Sequence, residues 1–138
     1  MSTPQKALTF EQMKEIGNKS PYYRHLGMEV TKIKKGESII RMVVKEELAR
    51  YDGIVHGGAI ASLADAAAGV AIASLTTSKE TVVAIEFKIN FFASVSRGEI
   101  TARAKVIHKG SRTAVAEVEV TNEDGKMVAR LVVTSLIL

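Results

Sequence analysis

Apolar and polar residues alternate with a period of two along most of this chain, and the pattern breaks once, near the middle. Residues 28–33 and 38–44 alternate in the manner of half-buried strands and meet across Lys35-Gly36-Glu37. Four further strand-like runs lie at 81–92, 99–108, 114–121 and 127–138. In them Ala102, Ala104 and Val106 alternate with Arg103 and Lys105, and Val118 and Val120 alternate with Glu117 and Glu119. Asn122-Glu123-Asp124-Gly125 supplies turn chemistry between the last two. The break is at residues 59–76, which hold strong helix formers without proline and predict one helix of about five turns. Two strands, a long helix and four strands make an α+β fold, with an antiparallel sheet wrapped around one central helix.

Local signals fill in the remainder. Thr9 and Gln12 have the spacing of a capping box and open a short helix through Ile16. A second helical turn is predicted from Pro21 to Leu26, stopped by Gly27. Residues 45–55 read as a loop that ends near Gly53. The expected organisation is a single domain over 1–138, with 1–20 as an N-terminal extension carrying the short helix.

Composition narrows the function. A length of 138 residues suits one compact domain, and the absence of cysteine excludes a disulfide framework, a thiolate metal site and a cysteine nucleophile. The net charge of +4 is modest and the basic residues are interspersed with acids, which argues against a nucleic-acid partner. Residues 57–75 approach the length of a bilayer span, but the stretch is mostly alanine and Asp65 lies near its middle, so a protein-buried helix is expected and no membrane partner. Residues 1–8 contain no apolar segment of signal-peptide length, so a cytoplasmic location is expected.

The candidate chemistry gathers at the helix. His56-Gly57-Gly58 leads directly into it, and a helix N-terminus presents unpaired N–H groups and the positive end of the dipole. Glycine there lets a ligand approach without meeting a Cβ, as in an oxyanion site; a plain tight entry turn reads equally well from the dipeptide alone. Asp65 sits among Ala61, Ala64, Ala66, Ala68 and Gly69 with no cation one turn away. A carboxylate in such surroundings either faces solvent or a neighbouring strand, or serves as a general base or nucleophile in a cleft. Gly57 and Asp65 are separated by about 12 Å along a helix of 1.5 Å rise per residue. A reacting carbonyl must lie about 3 Å from both donor and attacking group, so one helix cannot supply both. Two antiparallel helices related by a two-fold axis can, which makes the site shared between subunits if both groups are catalytic.

Gly53-x-x-His56-Gly57-Gly58 followed by Leu63-Ala64-Asp65-x-Ala67-x-Gly69 resembles the hotdog-fold thioesterases of the phenylacetate-degradation (PaaI-like) type. The likeness continues through Glu86-Phe87-Lys88-Ile89-Asn90-Phe91, His108-Lys109-Gly110-Ser111-Arg112 and Gly125-Lys126-Met127-Val128-Ala129, and spans about residues 21–138. It implies a hotdog domain that hydrolyses acyl-CoA thioesters to a carboxylic acid and coenzyme A, with no metal and no separate cofactor. It implies catalytic roles for Gly57, whose N–H polarises the thioester carbonyl, for Asp65 from the partner subunit, which attacks or activates water, and for His56, which positions the thioester. Lys109, Gly110, Ser111 and Arg112 would hold the coenzyme A phosphates, and Phe91 would line the pantetheine passage. The partners implied are the acyl-CoA substrate and a second copy of the chain, as a homodimer extended to a dimer of dimers.

Two positions depart from the family pattern. Arg50 stands six residues before the histidine, where asparagine or glutamine is frequent, and Ala84 stands ahead of the Glu-x-Lys segment, where serine or threonine is frequent. These leave room for a second reading, a non-catalytic module that binds acyl-CoA. A hotdog hydratase or dehydratase is a third.

Overall fold

The computed structural model describes residues 7–138. Two short helices, α1 (Phe10–Asn18) and α2 (Pro21–Leu26), precede strands β1 (Met28–Lys34) and β2 (Glu37–Val43). The long helix α3 (Gly57–Ala73) follows, and β3 (Val82–Phe91), β4 (Glu99–Lys109), β5 (Thr113–Asn122) and β6 (Met127–Ile137) complete the chain. All six strands form one antiparallel sheet in the order β1-β2-β4-β5-β6-β3, curled around α3 as a hotdog fold.

The curl has local causes. Register shifts at Val30/Lys32, Ala84/Glu86 and Val106/His108 each add one residue to a strand and bend it, which lets the sheet close over the helix. The concave face carries Ile40, Met42, Ile100, Val118, Val120 and Leu131, all fully buried. Helix α3 meets them with Ile60, Leu63, Ala64, Ala67, Ala68, Ala71 and Ile72, a stripe at helical spacing. Buried Ser38 of β2 donates to the Ala67 carbonyl at 2.6 Å and fixes the helix against the sheet. The opposite stripe of α3, with Ser62, Asp65, Ala66 and Gly69, is only half-buried.

Several boundaries differ from the sequence expectation. Helix α3 begins two residues earlier than the propensities of 59–76 suggest, because His56 caps it and both glycines enter the helix. It ends at Ala73 rather than Thr76: Ser74 Oγ donates to the Ala71 carbonyl and accepts the Gly36 N–H, while Thr76 Oγ1 donates to Ala73, so the last turn is spent on side-chain bonds. The segment 45–55, expected as loop, contains a 3-10 turn at Glu46–Leu48 and an Ala49–Val55 bridge, which anchor the approach to His56. The capping box at Thr9 and Gln12 is formed in both directions, at 2.9 and 3.1 Å, and its helix runs to Asn18.

The two edges of the sheet are treated differently. Beside β1, Asn18 exchanges two hydrogen bonds with the Val30 backbone, at 2.7 and 3.2 Å, and α1 packs alongside. Strand β3 pairs only with β6, and its other edge is open among the described residues. Among those residues no helix is long and apolar enough to cross a membrane.

Candidate active site

His56 is the N-cap of α3, with extended backbone, and its Nδ1 accepts the Gly58 N–H at 2.8 Å. Imidazole here does what an Asn or Asp side chain commonly does at this position. The Ala59 N–H bonds the His56 carbonyl at 3.0 Å. Gly57 is left with an N–H that has no partner among the described residues, at the positive end of the helix dipole. A Cβ built on Gly57 would stand 3.1 Å from Cζ of Phe91, so the glycine lets the aromatic ring lie over the helix start. Arg50, Ile54, Ile60 and Phe92 line the same cavity, of about 500 Å³, with Gly57 and Phe91. The Arg50 guanidinium is held by Asp52 through two hydrogen bonds, at 3.1 and 2.5 Å.

Asp65 lies elsewhere. It lines a second cavity, of about 700 Å³, that runs along the half-buried stripe of α3 from Ser62 to Ala73 and reaches Thr81 and Val82 at the start of β3. Its carboxylate forms no ion pair or hydrogen bond among the described residues, and burial pushes its pKa above the ordinary aspartate range. A half-buried carboxylate that nothing neutralises is suited to take a proton or attack a carbon.

The residues singled out in the sequence thus fall into three places. His56, Gly57 and Phe91 come together at the head of α3. Asp65 is about 12 Å further along the same helix. The hairpin of Lys109, Gly110, Ser111 and Arg112 joins β4 to β5 at the far end of the sheet, where Thr113 pairs with Leu136 and Leu136 with Val83. Its turn is closed by the Gly110 N–H on the Thr113 carbonyl at 2.8 Å, and Lys109, Ser111 and Arg112 are exposed. Ala84 is exposed on β3 and does not line the Asp65 cavity, and Arg50 lines the Gly57 cavity.

Helix α2 adds residues that sequence patterning does not reveal. Tyr22 and Tyr23 line the Asp65 cavity, and Tyr22 Oη meets Ser62 Oγ at 2.7 Å. Pro21 and Gly27 mark the ends of α2 in the sequence, but nothing local says that it docks on α3.

Comparison with known proteins agrees with this architecture. The family model of the thioesterase superfamily matches residues 52–129, from just before the helix cap into β6. A putative esterase of Saccharolobus solfataricus is 34% identical over 80% of this chain and 78% of its own. The 1,4-dihydroxy-2-naphthoyl-CoA hydrolase of Listeria monocytogenes is 33% identical over 75% of this chain and 84% of its own. Among solved structures, a mutant of the phenylacetic acid degradation protein PaaI from Thermus thermophilus superposes with a TM-score of 0.80 at 29% identity, covering 86% of this chain and 100% of that one. With a hotdog sheet closed on α3 and a family match that takes in both His56-Gly57-Gly58 and Asp65, the chain belongs to the thioesterase superfamily.

Proposed function

We propose that the protein hydrolyses acyl-CoA thioesters, at sites built by two copies of the chain. The observation that carries this reading is the separation of two complementary half-sites on opposite ends of one open strand. The free Gly57 N–H lies under Phe91 at the end of β3, and the Asp65 cavity opens beside Val82 at its start. Strand β3 is apolar where it is uncovered: Val83, Ile85, Phe87 and Phe91 are 43%, 54%, 43% and 49% exposed. An unpaired edge with such side chains is a template for another strand. Antiparallel pairing of β3 with β3 of a second copy reverses both elements. The Val82 end of one subunit then approaches the Phe91 end of the other, which brings Asp65 toward Gly57 of the partner subunit. The same pairing carries the Lys109–Arg112 hairpin, tied to Val83 through β6, toward that site.

In such a site the carbonyl oxygen of the thioester accepts the Gly57 N–H, and the helix dipole stabilises negative charge as it develops there. Asp65 of the partner subunit removes a proton from water that attacks the carbonyl carbon, or attacks that carbon itself to form a mixed anhydride that water then hydrolyses. The C–S bond breaks, coenzyme A leaves as the thiol, and the acyl group leaves as a carboxylic acid. Lys109 and Arg112 would hold the phosphates as exposed cations. The hydrolase relative from Listeria monocytogenes, whose name specifies a naphthoyl-CoA, supports the coenzyme A part of the reading. Incubating the purified protein with aryl-, short-, medium- and long-chain acyl-CoAs and a thiol reagent tests it. Release of free thiol that is lost in Asp65→Asn is expected; no release from any member of the panel overturns the hydrolase reading.

A further inference from the structure

The two faces of β3 differ in chemistry. Residues paired across neighbouring strands point to the same side of a sheet. Phe87, Ile89 and Phe91 lie opposite buried Val133, Leu131 and Ala129 and so point to the concave face. Glu86 and Lys88 lie opposite Thr134 and Val132, stand on the convex face and are exposed. Neither takes part in an ion pair among the described residues, whereas Arg130 of β6 holds Glu117 of β5 on the same face at 2.7 Å. An acid and a base, two residues apart on an open edge, are thus left unmatched within the chain.

Two identical antiparallel strands pair only in registers that set one residue against its own copy, because opposite residues must share a face. Moving that residue by one slides the strands by two residues, about 7 Å. With Glu86 on the two-fold axis, Glu86 meets Glu86. With Lys88 there, Lys88 meets Lys88. With Phe87 on the axis the two rings meet, and Glu86 of each subunit lies opposite Lys88 of the partner subunit. Like charges directly opposite destabilise a sheet, and unlike charges stabilise it.

The register centred on Phe87 is also the one that assembles the site. Ala84 and Glu86 face consecutive residues of β6, Ser135 and Thr134, so Ile85 is a bulge and occupies no place in the pairing. The fourth paired position before Phe87 is then Val82, and the fourth after it is Phe91. Val82 lines the Asp65 cavity and Phe91 lines the Gly57 cavity, and this register sets them opposite one another across the axis. The registers on either side separate them by about 7 Å, more than a reaction with contacts of about 3 Å tolerates.

We infer that Glu86 and Lys88 set the register of the subunit interface, as two symmetry-related ion pairs that flank a β3–β3 axis at Phe87. The partner is a second copy of this chain. The inference rests on the β3 pairing proposed above and adds the residues that select one register from several; it does not depend on which reaction the site performs.

Charge exchange tests the pair. Glu86→Lys and Lys88→Glu each set like charges against each other in a homodimer, yet complement one another in a mixed dimer. Equal amounts of the two, differently tagged and allowed to exchange at low salt, should prefer the heterodimer by about tenfold, or about nine-tenths of all dimers. That share should relax toward the statistical half at about 1 M salt. The double variant Glu86→Lys/Lys88→Glu should pair with itself and, mixed with wild type, give only about one-tenth heterodimer. A statistical half in both mixtures at low salt overturns the inference.

The register itself is read by oxidative cross-linking, since the chain has no cysteine of its own. Cysteine replaces Glu86, Phe87, Lys88 or Ile89 singly, and only a residue on the axis meets its copy within the roughly 7 Å that a disulfide spans between Cα atoms. Phe87→Cys should link. A link at one of the other three positions instead keeps the β3 pairing and overturns the inference. A link at none removes the β3 pairing itself, and the inference falls with it.

Discussion

Nδ1 of His56 accepts the Gly58 N–H at 2.8 Å, and this bond selects Gly57 as the residue whose N–H points out of the helix unclaimed. The imidazole therefore has a structural duty that precedes any chemical one. His56→Ala should remove the cap and cost about 1 kcal/mol of unfolding free energy, whereas His56→Asn should retain most of it. Denaturant unfolding at equal protein concentration measures both. A His56→Asn protein of near-normal stability that has lost activity would assign the histidine a role at the thioester as well.

Asp65 gives opposite signs for stability and activity. Burial raises its pKa in the folded state above the unfolded value. Between those two values the folded protein binds more protons than the unfolded chain, so stability falls as pH rises through that window. Above it the charged form is a standing cost. Asp65→Asn should accordingly be more stable than the wild type at neutral pH, with the advantage closing as pH is lowered below the ordinary aspartate range. Its activity at neutral pH should drop by roughly 10²-fold or more. The wild-type kcat/KM should decline on acidification at a pH above that of an ordinary aspartate. Parallel thermal melts and rate profiles across pH check the pair of signs.

Much of this was legible in the sequence because it is local. The capping box, the Lys35-Gly36 turn, the alternation in β4 and β5 and the N-terminal glycines of α3 each depend on neighbours within a few residues. What the sequence hid is long-range. The docking of Tyr22 and Tyr23 on α3 joins positions forty apart, and two adjacent tyrosines in a short helix carry no periodic signal. Likewise, the run 82–91 reads as any strand, and only the sheet order makes it an open edge. Arg50 was conspicuous as a departure from a pattern, but its pairing with Asp52 and its place in the Gly57 cavity needed the folded chain.

The open edge of β3 predicts how assembly fails. Phe87 faces the concave side opposite Val133 yet remains uncovered, so charge placed there would be buried by a second copy and tolerated by a single one. Phe87→Lys should shift the protein toward a folded monomer in sedimentation and abolish thioesterase activity together. A Phe87→Lys protein that stays dimeric and active would place the interface elsewhere.

Lys109 and Arg112 are exposed and far from Gly57 of their own chain. If they hold coenzyme A phosphates across the interface, they act on binding more than on chemistry. Replacing both with alanine should raise KM at low salt by roughly tenfold while kcat holds, because phosphate contacts are alike in the ground and transition states. An unchanged KM at low salt would put the phosphates against other groups.

The most demanding prediction concerns sharing. With about 12 Å between Gly57 and Asp65 on one helix, the proposed site needs one residue from each of two subunits. Two inactive variants should therefore rescue one another. Asp65→Ala is one parent. Gly57→Val is the other: the first atom of its side chain would already meet Phe91 Cζ at 3.1 Å, so the added bulk displaces the ring and covers the oxyanion donor. In a mixed dimer, one site joins an intact Gly57 to an intact Asp65, and the other carries both lesions. Random exchange yields about half heterodimers, each with one good site of two. Activity should return to about a quarter of wild type when the sites act independently. Subunit exchange is verified separately, by tagging the two parents and purifying through both tags. Verified heterodimers with no activity would mean that Gly57 and Asp65 serve the same subunit, and the antiparallel pairing of β3 strands would have to be abandoned.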